Sequence, residues 1–140
     1  MGAIVKAQDI RSSDTGGLLR PIIYCNPTDE IITTANSINI ALTELLMKYK
    51  PNRRTMQLEK CFMQVLYSLP DRVVIKDFDV MFNPNYHVDI MMLLIAAYKK
   101  KPFSVIWPGD YRNGKLFYAK EGRPDYKAYC IDDYDVTCIV

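Results

Sequence analysis

Asp77 and Asp79 are the residues whose type and spacing most suggest chemistry. They stand two apart where the apolar run Val73-Val74-Ile75 gives out, within the stretch Arg72–Phe82. In extended backbone, residues two apart share a face, so both carboxylates would point the same way. Two such acids can hold Mg2+. The bland alternative has one acid closing a turn and the other meeting solvent. From this stretch alone the bland reading is the better supported, and the run before the two acids sets where they would stand. Three β-branched residues, apolar on both faces of the pleat, suit a central strand of a parallel sheet. Ligands of open α/β sheets gather at the carboxyl ends of such strands.

A metal-bound nucleotide also needs a phosphate loop. Gly109-Asp110-Tyr111-Arg112-Asn113-Gly114-Lys115 has the spacing G-x-x-x-x-G-K directly after an apolar segment. The next residue is Leu116 rather than Ser or Thr, and Leu116–Ala119 reads as a strand, not a helix start. Without a helix there, no dipole or amide cradle faces the anion. Asn113-Gly114 instead predicts a β-hairpin. The proper place for a phosphate loop is after the first apolar strand, Pro21–Cys25. There the chain reads Asn26-Pro27-Thr28-Asp29-Glu30, with no glycine, no lysine and two acids.

Other catalytic sets are thin. His87 is the single histidine, so any Cys–His or Ser–His chemistry would have to use it. Cys25, Cys61, Cys130 and Cys138 contain no C-x-x-C pair, which predicts reduced, mostly buried thiols rather than zinc ligands. Basic residues cluster as Lys48, Lys50, Arg53 and Arg54, as Lys99–Lys101, and as Arg112, Lys115, Lys120 and Arg123. Tyr111, Phe117, Tyr118 and Tyr126 interleave with the last group. Such mixtures can bind nucleic acid through phosphates and stacking, and they also suit an ordinary solvated edge. Arg53, Arg54, Arg112 and Lys115 are the candidate DNA contacts.

The positioning elements read as alternating strands and helices. Residues 1–19 read as an arm or loop, with Ile4–Ala7 a short strand at most. Pro21–Cys25 is a buried strand. Thr28 caps a helix opening on Asp29 and Glu30. Apolar positions from Ile31 to Tyr49 recur at helical spacing, so one helix from Asp29 to Lys50 is the simplest reading; β-branched Thr33–Ile40 is its weak point. Leu58, Cys61, Phe62, Val65, Leu66 and Leu69 predict a second helix, ended by Pro70. Asn85 is a candidate cap for a third, with Val88, Met91, Met92, Ile95 and Tyr98 as its apolar face and Lys99–Lys101 at its negative end. Phe103–Trp107 is a buried strand, and Val136, Cys138 and Val140 alternate as a last one. This pattern predicts one α/β domain over 1–140, its centre mostly parallel, with an antiparallel C-terminal hairpin at one edge.

Bulk properties fit that class. The chain has 140 residues, 49% hydrophobic and 24% charged, the size and composition of one globular domain. A net charge of +2 does not by itself imply nucleic acid. The longest apolar run, Ile90–Ala97, is too short for a bilayer, and the start Met-Gly-Ala-Ile-Val-Lys lacks a signal-peptide pattern. The expectation is a cytoplasmic protein without a membrane partner.

The C-terminal half resembles a known family. Asp79–Pro84 (Asp-Val-Met-Phe-Asn-Pro), Val105–Gly109 (Val-Ile-Trp-Pro-Gly), Gly114–Ala119 and Gly122–Tyr126 together are similar to BrxF, the small P-loop component of BREX bacteriophage-exclusion systems. The likeness covers about Val73–Val140. Asn36–Leu46 would match the family's second strand and next helix, which would break the long helix near Ile38–Ile40. The resemblance implies a three-layer P-loop NTPase-like domain in a multiprotein defence assembly. The Gly-Lys-Ser/Thr loop is missing, and Lys76 stands where an acid or apolar residue is expected. The chain therefore reads as a degenerate member: a non-catalytic subunit acting through defence-system proteins, with DNA as a further partner and no cofactor. Two alternatives stay open. One is an active nucleotide hydrolase with Mg and ATP, Asp77 and Asp79 serving as metal ligands and catalytic groups. The other is a DNA-binding module. The sequence leaves oligomeric state open.

Overall fold

The computed structural model describes residues 2–6 and 20–140. Its nine strands, in chain order, are β1 (Ala3–Val5), β2 (Ile22–Tyr24), β3 (Asn36–Ser37), β4 (Val74–Lys76), β5 (Ser104–Ile106), β6 (Asp110–Arg112), β7 (Lys115–Tyr118), β8 (Lys127–Cys130) and β9 (Thr137–Ile139). The α-helices among the described residues are α1 (Asp29–Thr34), α2 (Asn39–Leu46), α3 (Arg54–Tyr67) and α4 (Ile90–Lys100). Among the described residues, no helix is long and apolar enough to cross a membrane.

Six strands form one sheet in the order β1-β9-β2-β5-β4-β3, and all its pairings are parallel. Register places Ile75 beside Val105, Val105 beside Ile23 and Ile23 beside Cys138. All four are fully buried and form the floor of the core. On the opposite face Val74, Ser104 and Ile106 are only partly covered, whereas Ile22, Thr137 and Ile139 are buried. A parallel sheet needs covering crossovers, and the amphipathic helices supply them. Leu58, Cys61, Phe62, Val65 and Leu66 of α3 are buried, as the helical spacing predicts.

Several sequence expectations need correction. The single helix over Asp29–Lys50 does not exist. The Thr33 and Thr34 hydroxyls bond back to the carbonyls of Asp29 (2.7 Å) and Glu30 (3.0 Å), which weakens the helix just where β-branching crowds it. Ala35 turns extended, and Asn36 pairs with Ile75 as β3. The break suggested by the resemblance is real, but it falls at Asn36–Ser37 rather than Ile38–Ile40. Asp89, not Asn85, caps α4, accepting from Met92 N at 3.2 Å. Met92 is exposed, whereas Leu93 and Leu94 are buried.

The N-terminal arm is in part structural: β1 is an edge strand, held by Ala3 N–H to Val136 O at 2.9 Å. The rest of the expected arm, residues 7–19, lies outside the described residues. The antiparallel element is not a hairpin at one edge. It is a separate three-stranded sheet, β6-β7-β8, inserted between β5 and β9. Its hairpin turn is the expected one, with Asn113 and Gly114 both at positive φ (49° and 79°), as a type I′ turn requires. Proline at 108 cannot donate to a ladder, so β5 ends there. The third strand of this second sheet, β8, buries Tyr129 beside Leu116, and β9 then returns to the main sheet between β1 and β2.

Candidate functional site

The carboxyl ends of β2, β4 and β5 form one rim, since these strands are parallel neighbours. At β4 the strand stops at Lys76. Asp77 adopts φ 52°, and Asp79 starts a 3-10 turn over Asp79–Phe82. The two acids are therefore not same-side carboxylates of an extended strand. Both are exposed, and between them Phe78 is fully buried and fixes the turn. Asp77 tolerates the left-handed conformation better than most side chains. Lys76 points elsewhere: its Nζ donates to Ile32 O at 3.1 Å, near the end of α1.

Asp79 has a partner of its own. The Tyr118 hydroxyl donates to Asp79 Oδ2 at 3.0 Å. The Tyr118 ring lies flat on Phe82, with centroids 3.9 Å apart and planes at 7°. Burial, and then the Asp79 carboxylate, push the Tyr118 phenol above its ordinary range. Phe82 in turn meets Trp107 edge-on at 5.6 Å, and Trp107 meets Tyr129 at 6.0 Å. The Trp107 Nε1–H donates to Phe117 O at 2.9 Å. Gly109 runs against that same carbonyl: a Cβ there would come within 1.9 Å of Phe117 O. The Trp-Pro-Gly segment thus clamps the three-stranded sheet onto the rim.

At β2 no phosphate cradle forms. The Thr28 hydroxyl caps its own helix, accepting from Ile31 N at 3.4 Å, and Asp29 and Glu30 fill the first turn of the six-residue α1. Cys25, at the end of β2, lies beside Cys138. A hydrogen bond between their thiols lowers the Cys25 pKa and raises that of Cys138. Cys25, Cys61, Cys130 and Cys138 are all free, and His87 is exposed. Among the described residues no group of three His, Cys, Asp or Glu side chains gathers as a metal site. Among the described residues the set does not fit a Mg-triphosphate: the Asp79 carboxylate is engaged by a phenol, Asp77 sits in a left-handed turn, and the Lys76 amine is bonded to Ile32 O.

The basic candidates separate into two sets. Arg54 Nε donates to Leu46 O (3.2 Å) and Tyr49 O (3.1 Å), closing the end of α2, so it works as a structural cap. Arg53 is exposed at the end of a 3-10 turn over Pro51–Arg53. Arg112 and Lys115 face each other across the β6–β7 pair. They line a cleft of about 750 Å³ that also takes in Phe117, Lys120 and Tyr126. Part of the cation and aromatic cluster visible in the sequence is thus gathered on one face, while Tyr111 pairs with buried Leu116 and Tyr118 stacks on Phe82. The roles of Tyr118 and Asp89 were not readable: each depends on a partner about forty residues away along the chain, 39 for Tyr118 to Asp79 and 45 for Tyr134 to Asp89.

Comparison with protein-family models, curated proteins and solved structures returned no match to this chain.

Proposed function

We propose that this chain is a non-hydrolysing, P-loop-like α/β subunit of a bacterial phage-defence assembly, acting by contact with other defence proteins and, in a second role, with DNA. One observation carries the non-hydrolysing part. The rim position where a nucleotide and its metal would sit is occupied by the Tyr118–Asp79 hydrogen bond at 3.0 Å, opposite a β2–α1 connection without glycine or lysine. The strand order supports the P-loop-like part: β2 is flanked by β5 and β9, with the acidic strand β4 beyond β5. A third, helical layer on the half-covered sheet face belongs to the same reading. The defence assignment rests on the resemblance of Val73–Val140 to BrxF.

Titration calorimetry with Mg-ATP and Mg-GTP tests the reading, and no saturable heat is expected. Phage plating on cells carrying the whole defence system gives the second readout. Loss of this gene restores plaques, while a D77N/D79N variant still protects. Micromolar nucleotide binding, or loss of protection in the double variant, favours the competing reading. That reading is a Mg-dependent hydrolase using Asp77 and Asp79 at the end of β4.

A further inference from the structure

The three-stranded sheet has two faces with different assignments. Leu116 and Tyr129 pair across β7–β8 and are buried, with Tyr111 opposite Leu116, so this row faces the core. Side chains alternate along a strand. Arg112, Lys115 and Phe117 therefore fall on the outward row, as do Asp110 and Ala128 in register with Phe117. That row needs no chemistry to hold the fold together, and yet it is not an ordinary polar edge.

Its cleft of about 750 Å³ falls within the range of on the order of 300–1,000 Å³ typical of ligand sites. The Arg112 guanidinium sits over the Phe117 ring, 4.4 Å from its centroid. Tyr126 lies near Phe117, with centroids 6.4 Å apart and planes inclined at 30°. Three flat groups thus lie close together, Arg112 covering one face of Phe117 and Tyr126 tilted beside it. An aromatic ring stacks any nucleobase, and a guanidinium plane does the same. Lys115 and Lys120 add positive charge to the lining of the cleft. Ala119 at φ 61° turns the chain out of β7, and Lys120 and Glu121 after it also line the cleft. The two acids, Asp110 and Glu121, argue against a purely phosphate-reading surface. They suit acceptance from the exocyclic amino groups of bases.

We infer that the outward face of the β6–β7–β8 sheet binds single-stranded nucleic acid, with unpaired bases stacking on Phe117 and Tyr126 and phosphates meeting Arg112, Lys115 and Lys120. A duplex keeps its base faces stacked internally and offers only edges in its grooves, so it cannot use this floor. The inference does not depend on the rim of the parallel sheet being closed. It can fail while the non-hydrolysing reading stands, and the reverse also holds.

The test is fluorescence anisotropy with labelled oligo-dT, oligo-rU and a blunt duplex of equal length, over a salt series. Micromolar binding of a single strand, weakening with salt, is expected. Lys115→Gln lowers the slope of log affinity against log salt by about 1. Phe117→Leu weakens binding about tenfold with the slope unchanged. Phe117 holds Trp107 through its main-chain carbonyl, so this variant keeps the clamp, and unchanged fluorescence of the single tryptophan verifies it. Arg53→Ala leaves binding unchanged. A preference for oligo-dT or for oligo-rU supports the site and identifies DNA or RNA as its source. The inference is overturned by absence of binding at low salt, by equal affinity for the duplex, by full affinity in Phe117→Leu, or by an acidic peptide displacing the oligonucleotide at equal concentration.

Discussion

The Tyr118 hydroxyl reaches Asp79 at 3.0 Å while its ring stacks on Phe82 at 3.9 Å, so one side chain joins the antiparallel sheet to the turn after β4 by a polar and an apolar contact at once. The two contacts separate by substitution. Tyr118→Phe keeps the stack and loses the hydrogen bond, which lies at the surface. It costs about 0.5–1 kcal/mol. Tyr118→Ala loses both and costs about 3 kcal/mol. Urea denaturation of the two variants measures the difference. Equal losses would mean that the hydroxyl, not the ring, holds the turn.

The Gly109 position tests the clamp. An alanine Cβ would lie 1.9 Å from Phe117 O and 3.1 Å from Trp107 Nε1, and the first of these is backbone that cannot swing away. Gly109→Ala should therefore cost about 3 kcal/mol and break the Trp107 hydrogen bond. Trp107 is 4% exposed and is the only tryptophan, so its emission shifts to the red as the clamp opens. Unshifted emission with native stability would contradict the contact.

Local chemistry made much of this fold legible. β-branched runs became β2 and β4, Asn113-Gly114 became a primed turn, and the spacing of Leu58 through Leu66 became the buried face of α3. What failed was decided by distant partners. Ala35 ends α1 because Asn36 finds Ile75 across the sheet. Asp89 and Asn85 are comparable caps by residue type, and Asp89 serves because its other oxygen accepts from the Tyr134 hydroxyl at 2.8 Å. The paired acids of the candidate site were visible as residues. Their divergence was not, because it follows from the burial of Phe78 and from a tyrosine brought over by the second sheet.

Thr137 opens β9, opposite Ile22 on one side and Ala3 on the other. It is 3% exposed, and its hydroxyl has no hydrogen-bond partner among the described residues. A buried hydroxyl without a partner carries its desolvation cost uncompensated. Thr137→Val keeps the shape, removes that cost and adds a methyl of β-branched character, so it should stabilise the protein by about 1 kcal/mol. Thermal and chemical denaturation both read this. A destabilised variant would show that the hydroxyl is satisfied.

Alkaline pH should unfold the chain through its buried phenols. Burial pushes Tyr129 up to about 12, and burial together with a nearby aspartate raises Tyr118 and Tyr134 as well. An unfolded tyrosine titrates near 10. Above that pH the unfolded chain releases protons that the folded chain keeps, so stability is whole below pH about 10 and falls as pH rises toward the folded values. Tyr129, the most enclosed of the three, contributes no more than about 1.4 kcal/mol per pH unit. Urea midpoints from pH 8 upward should hold level and then decline, and Tyr129→Phe should decline less.

Arg53 and Arg54 are adjacent and alike in charge, and they should respond differently. Arg54 Nε is shared between Leu46 O and Tyr49 O, the carbonyls left over where α2 ends, and the side chain is half-buried. Arg54→Lys keeps the charge and most of the aliphatic stem and removes the Nε–H donor, so the loss of about 1 kcal/mol isolates the cap. Arg53 is exposed, and Arg53→Ala should change stability by less than about 0.5 kcal/mol. Urea denaturation compares the pair directly. Equal effects would mean that the end of α2 is held by charge at this corner rather than by the directed N–H of Arg54.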